Sequence, residues 1–365
     1  MNRLRIILRS FFALQLLPAL ESASEEALIG GQAVLEGVMM RSPHAWGIAV
    51  RKPTGEIATH CEPLDRPSEK RKWLAWPFIR GLVTLGQAMS LGFRALKFSA
   101  DVILASVSDE QEKTAQKAPG VPPASATVSA SQQTPAKAPE LSTWVMVVNT
   151  VISIGFFIVM YKFLPLLATT ALGNKWSALG NNNALFNLID GVIRLSLFLL
   201  FIWGISLFAD IRRVYEYHGA EHKTVFAYEA KRDIPTVDFT QQFSTYHPRC
   251  GTSFLMTVML ISILVYMVFP ITASGARYGF LNHLFWYRLI IRVVLLAPIA
   301  SVSYEMIRFS AKHGRSLFAV LTRPGLWMQR ITTKQPKNDQ VECAIKALDE
   351  AMALEKTRGG ELVIA

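Results

Sequence analysis

Two short runs carry residue types that could do chemistry together. The first is His218-Gly-Ala-Glu221-His222. On a helix, His218 and His222 are i,i+4 neighbours, and Glu221 lies about 60° to the other side of His218. Two imidazoles so spaced can chelate one divalent ion, and a carboxylate beside them can act as general base toward water. The run fits the H-x-x-E-H pattern of inverted zinc proteases. Histidines that only hydrogen-bond at a membrane surface would leave the same string.

The second run is His247-Pro-Arg-Cys250-Gly251, which has the form of a zinc knuckle with histidine in place of the first cysteine. Donors at i and i+3 of a tight turn converge on one ion. The glycine that follows tolerates the positive φ that turns backbone N–H groups toward a thiolate. The alternative is a turn that opens a membrane helix, with Cys250 merely buried. If His218, His222, His247 and Cys250 all bind, coordination is full and the site is structural. If one stays off, a water position opens and Glu221 becomes the base. The sequence leaves that choice open.

The elements that position these runs follow from composition. Of 365 residues, 51% are hydrophobic and 18% charged, where a soluble domain carries about 25% charged residues. The mean hydropathy is +0.28. A disordered chain is excluded, and an ordinary cytosolic enzyme is disfavoured. Four apolar stretches, about 144–168, 185–209, 254–273 and 284–309, are each long enough for the roughly 20 residues a bilayer needs. The expected fold is therefore a polytopic α-helical membrane protein with about four transmembrane helices and a small mixed α+β cytoplasmic domain.

Lysine and arginine outnumber aspartate and glutamate 38 to 27, a net charge of +11. Arg212, Arg213, Lys223, Lys231, Arg232 and Arg249 fall in loop 210–252, whereas loops 172–184 and 274–283 hold only Lys175 and Arg277. The positive-inside rule then places loop 210–252 and both termini in the cytoplasm of a multi-pass inner-membrane protein, against anionic lipid. No stripe of aromatics interleaved with basic residues suggests nucleic acid. Three scattered cysteines exclude a disulfide framework.

Residues 1–27 form a basic extension shaped like a weak signal peptide, read here as non-cleaved. Segment 28–77 reads as a β-rich cytoplasmic unit, with a hairpin turn at Lys52-Pro53-Thr54-Gly55. Segment 78–107 is an amphipathic interfacial helix: Arg80, Gln87, Ser90, Arg94, Lys97 and Asp101 share one arc, and its uncharged stretch is too short to span. The Pro/Ala/Ser-rich stretch 108–141 reads as a flexible linker. Region 142–309 carries the four spans, and the tail 310–365 ends in a helix burying Val341, Ile345, Leu348 and Met352.

Further polar residues sit near the same membrane face. Glu305 and Arg308 end the fourth span, where Glu305 is either a local salt-bridge partner or an alternative ligand. Glu36 reads as a turn-stabilising carboxylate, and Arg80 lies in a segment that could cover the site. At the other face, Asp190 with Arg194 and Arg288 with Arg292 are spaced i,i+4. They read as an ion-pair cluster locking two spans, with a substrate or ion path as the alternative.

Gly-Gly-Gln-Ala-Val-Leu-Glu-Gly-Val-Met-Met-Arg at 30–41, Tyr-His-Gly-Ala-Glu-His-Lys at 217–223, His-Pro-Arg-Cys-Gly-Thr-Ser-Phe at 247–254 and Pro-Gly-Leu-Trp-Met-Gln at 324–329 resemble the YqhQ-like family of bacterial membrane proteins. The resemblance covers roughly 28–355 and implies metal-dependent enzymes without a settled reaction. The basic extension and the long linker depart from it.

The leading expectation is a divalent metal, zinc by its donor set, held by His218, His222 and His247 or Cys250, with Glu221 as base for hydrolysis. The substrate would be a membrane protein or lipid at the inner leaflet. The second reading is a non-catalytic scaffold with a closed structural site. A transporter is disfavoured by the lack of internal repeats, with Pro165 and Pro270 read as lying near span ends.

Overall fold

The computed structural model describes residues 29–65, 67–117, 143–248, 250–268, 283–312 and 317–358. The basic extension 1–27, linker residues 118–141 and residues 274–282 of loop 274–283 lie outside these residues.

Short β-branched and glycine-punctuated runs at the start build an antiparallel meander, β1 (Gly30–Val34), β2 (Gly37–Arg41), β3 (Ala45–Arg51) and β4 (Ile57–Pro63), paired in that order. Gly55, at φ +90, closes the β3–β4 hairpin by donating its N–H to Lys52 O at 2.9 Å, so the turn stands where the sequence places it. Strands β2 and β3 are buried along nearly their whole length because both faces of the sheet are covered.

One face packs on the C-terminal helix. In chain order the longer helices are α1 (Ile79–Lys117), α2 (Thr143–Ile158, a π turn Val159–Phe163 and Leu164–Lys175), α3 (Asn183–Ile205), α4 (Ala209–Lys231), α5 (Gly251–Val268), α6 (His283–Val294), α7 (Leu296–Lys312), α8 (Leu317–Thr332) and α9 (Asn338–Arg358). Val341, Leu348 and Met352 of α9 lie buried with Val38, Met40 and Ala49, and Ile345 packs at the edge. The approach is close. A Cβ on Gly47 would stand 2.6 Å from Ala347 O, and Ala344, Ala347 and Ala351 keep the helix face thin.

Glu355 fastens the far end of α9 to the β2–β3 turn. It accepts hydrogen bonds from Ser42 Oγ at 2.6 Å, from His44 N at 2.8 Å and from the His44 ring at 2.8 Å. Burial favours the neutral acid, but these bonds outweigh it and hold the carboxyl below its ordinary value. A carboxyl depressed in the folded state stabilises above the usual carboxylate range, and that contribution is lost as pH falls through its native value. Glu355→Gln should therefore lower stability by about 1–3 kcal/mol at neutral pH. The gap from the parent should close as the medium is acidified, as followed by thermal unfolding against pH.

The other face of the sheet packs on α1, where Leu91, Ala95, Phe98 and Val102 meet Val34, Met39, Trp46, Ile48 and Val50. An apolar surface expected to face lipid thus covers the sheet. A second row, Leu82, Met89, Phe93, Leu96, Leu104 and Val107, stays exposed and falls within about 80° of arc at 100° per residue. The helix also runs to Lys117, ten residues into the stretch read as linker. Asp109-Glu-Gln-Glu-Lys-Thr-Ala-Gln-Lys117 is made largely of helix formers, and the first proline comes only at Pro119.

Among the described residues, four stretches are long and apolar enough to cross a membrane: Val147–Lys175, Asn183–Ile205, Gly251–Val268 and Phe285–Phe309. Pro165 does not sit near a span end, as the sequence reading had it. It lies inside the first of these, two residues past the end of the π turn. Proline has no N–H to give the preceding turn, and a one-residue widening of the helix absorbs the mismatch. Pro270 lies outside the described residues.

Helix α1 is tied to the fourth span through Glu305. Arg80 donates to both carboxylate oxygens, from Nε at 2.7 Å and from Nη2. Glu305 is therefore a salt-bridge partner, paired with Arg80 and not with Arg308.

Candidate metal centre

The helix α4 follows the end of α3, the second candidate span, within a few residues and points its polar face at the segment before α5. His218, Glu221 and His222 ride on α4, and Cys250 stands one residue ahead of α5. One donor atom each from His218, His222 and Cys250 fall within 4.8 Å of one another, close enough for one ion to reach all three.

The orientation of the imidazoles matters more than their proximity. His218 donates from Nδ1 to the carbonyl of Thr332 at 2.8 Å, and His222 donates from Nδ1 to the carbonyl of Thr245 at 2.5 Å. A carbonyl can only accept, so each Nδ1 carries its hydrogen. Each Nε2 is left to face the cluster: His218 Nε2 is 3.2 Å from Cys250 Sγ. His222 Nε2 is buried without a hydrogen bond and lies 3.5 Å from Glu221 Oε2. Metal-binding histidines are characteristically held through the second ring nitrogen in this way.

The electrostatics ask for a cation. Burial alone would raise the Cys250 thiol, but attraction to His218 and His222 holds it well below its ordinary value. Burial works against charging His218, yet Cys250, with help from Glu221, carries it up to about 9. Glu221 is pushed above its usual range by burial, with His222 and His218 pulling it back. A thiolate, a carboxylate and two Nε2 atoms in a buried space suit a borderline-soft divalent ion, and the residues fit that group.

His247 is not brought into the set. Its peptide is clamped by Gln329, whose Oε1 accepts from His247 N at 2.8 Å and whose Nε2 donates to His247 O at 2.7 Å. Its ring packs edge-on against Phe226, with centroids 4.7 Å apart, and stands 5.5 Å from the His222 ring. Burial, then His222 and His218, lower its pKa to about 4, so it lines the site as a neutral imidazole. The turn was read as supplying donors at i and i+3; of these two, Cys250 has its donor atom within 4.8 Å of those of His218 and His222, and His247 lines the site beside them.

Three features of the site escaped the sequence reading. A Cβ on Gly31 would lie 2.6 Å from Glu221 Cγ, so strand β1 approaches the carboxylate as only glycine permits, and Gly31 N–H bonds to it. The Gly-Gly pair at 30–31 was the visible signal. A Cβ on Gly325 would likewise lie 2.7 Å from Ser253 Cα, so its absence lets α8 bring Gln329 to the turn. The Thr245 and Thr332 carbonyls left no signal, because backbone acceptors are silent in side-chain patterns. Glu36, at the β1–β2 turn with φ 53, pairs with Arg213 and accepts from Tyr217 Oη at 3.3 Å.

Against known proteins, a family described as "Protein of unknown function (DUF1385)" matches residues 76–354. The chain belongs to this family. The matched span contains all three donors and Glu221. A curated relative, "Uncharacterized protein YqhQ" of Bacillus subtilis (strain 168), is 30% identical over 328 residues, covering 89% of this chain and 92% of that protein. No solved structure matches the chain.

Proposed function

We propose that this is a membrane-bound, metal-dependent hydrolase, with His218, His222 and Cys250 holding a zinc-type divalent ion and Glu221 as general base. The observation that carries the reading is the pair of Nδ1–H bonds to Thr332 and Thr245 carbonyls, which present both Nε2 atoms beside Cys250 Sγ. Two nitrogens and one thiolate leave a tetrahedral ion one position short, the mark of catalytic rather than structural sites. Such an ion supplies Lewis-acid activation of water or of a substrate carbonyl. Burial raises the Glu221 carboxyl above its ordinary range, which makes it a stronger base toward water, and Gly31 N–H fixes its orientation.

The basic loop 210–252 and tail favour an inner-membrane protein with both termini in the cytoplasm. A site between α4 and the start of α5 would then open at the inner leaflet, toward a membrane protein or lipid substrate. One contact favours the scaffold reading: Glu221 Oε2 is near enough to His222 Nε2, at 3.5 Å, to become a fourth ligand and close the site.

Glu221→Gln separates the two. For a hydrolase, the purified variant should keep about one ion per chain and fail to restore the phenotype of a strain lacking the protein. For a scaffold with Glu221 as ligand, the ion itself should be lost or weakened. A variant that keeps both ion and cellular function rules out hydrolysis through Glu221.

A further inference from the structure

A second polar cluster lies within the spans, toward the ends of α3 and α5 remote from the metal donors, and does not depend on the metal reading. Lys162 Nζ, Arg194 Cζ and Arg292 Cζ stand 5.4, 5.4 and 5.3 Å from the centroid of one ring, Tyr266. Tyr266 is fully buried, and none of the three cations is more than 6% exposed. They come from the π turn of α2, from α3 and from α6, so three separate elements converge on α5. The π turn after which Pro165 follows is what brings Lys162 round to this face, and such turns often mark functional positions.

The charges do not balance. Among the described residues, Asp190 is the carboxylate paired with these cations, and it already serves both Arg194 and Arg292. Asn187 Oδ1 and Ser262 Oγ accept one further bond each, at 2.6 and 3.1 Å. Lys162 reaches the Tyr266 hydroxyl at 3.4 Å. Arg194 Nε and Arg292 Nε are buried and make no hydrogen bond. A guanidinium cannot shed its proton, so even a neutral Lys162 would leave two fixed positive charges against one negative at membrane depth, where ionisable groups pair or serve a ligand. Face-on recognition by the Tyr266 ring offsets part of the excess and supplies no acceptor to the two Nε–H groups.

We infer that Lys162, Arg194 and Arg292 around Tyr266 form a binding site for an oxyanion of the phosphate class, either free or carried on a lipid headgroup. Guanidinium forks match phosphate oxygens, and the lysine adds a point charge. The ligand restores the charge balance and accepts from donors that Asp190 does not reach.

The test uses the full-length protein in detergent, melted against inorganic phosphate, against dihexanoylphosphatidylglycerol, and against sodium chloride at matched ionic strength. A saturable rise in melting midpoint is expected with one or both phosphate probes and not with chloride. Phosphate acting alone identifies a free anion, and the lipid acting alone a headgroup. Lys162→Met should melt no lower than the parent without ligand, since it removes an excess charge, yet need at least tenfold more probe for half saturation. Lys162→Gln serves the same purpose should the methionine variant not fold, and Lys162→Arg should stay within about threefold of the parent. No response to either probe beyond that to chloride, or an unchanged half-saturation in the neutral Lys162 variants, overturns the assignment.

Discussion

Asp190→Asn should destabilise the membrane region by about 3–5 kcal/mol, the usual cost of leaving one side of a buried ion pair unmatched. Asp190 is fully buried and accepts from Arg194 Nη2 and, at 2.5 Å, from Arg292 Nη1. The asparagine has the same shape and still offers one acceptor, so packing changes little and the loss is electrostatic. Two guanidiniums would then face each other without a counter-charge. Adding Arg194→Met to Asp190→Asn should recover part of the loss, because an apolar side chain of similar length removes one of the stranded charges. Thermal unfolding of the single and double variants in detergent measures both effects. A single variant that melts with the parent would mean that Asp190 does not lock α3 to α6.

Gly219→Ala should be nearly as severe, and it reaches the metal centre. In an exposed helix interior, alanine for glycine gains about 1 kcal/mol. Here the added Cβ would lie 2.0 Å from the carbonyl oxygen of Lys334, a backbone atom that no rotamer change can move. The segment after α8 must shift away from α4. That breaks the bond from Lys334 N to Tyr215 O at 2.9 Å and strains the neighbouring Thr332 carbonyl that orients His218. Overpacking of this kind costs about 1–3 kcal/mol or more. Loss of the carbonyl behind a metal-binding histidine lowers metal affinity about 10–100-fold. Gly86→Ala is the matched control: its Cβ meets nothing within 4 Å, so stability should rise slightly. Metal titration and thermal unfolding of both variants check the pair; equal behaviour would contradict the close approach.

Much of this was legible in the residues because the signals were local. The spacing of His218 and His222 sets one helix face, and the Pro-x-Cys-Gly turn sets the entry to a span, so their meeting needed only that loop 210–252 fold back. The Lys52–Gly55 hairpin and the buried Val341, Leu348 and Met352 face of α9 were likewise written in turn chemistry and periodicity. What stayed hidden was non-local. The hydrophobic period of α1 shows that a face is apolar but not whether lipid or a sheet covers it, and the sheet takes one side while the Leu82–Val107 row is left open. His247 carries the right donor at the right spacing. Its spacing could not show that its peptide is held by a glutamine of α8, some eighty residues away in sequence, with its ring packed on Phe226. Glu305 met Arg80 for the same reason: its partner lies on another element. The π turn before Pro165 could not be distinguished from a helix end by composition alone.

X-ray absorption at the metal edge of the purified full-length protein, prepared without chelators, addresses the His218–His222–Cys250 centre most directly. The expected spectrum is that of one divalent ion per chain with two imidazole nitrogens, one sulfur and one oxygen-type donor, and the sulfur contribution should vanish in Cys250→Ser. Protein that carries no ion at full stability, or an ion whose surroundings contain no sulfur, would contradict it.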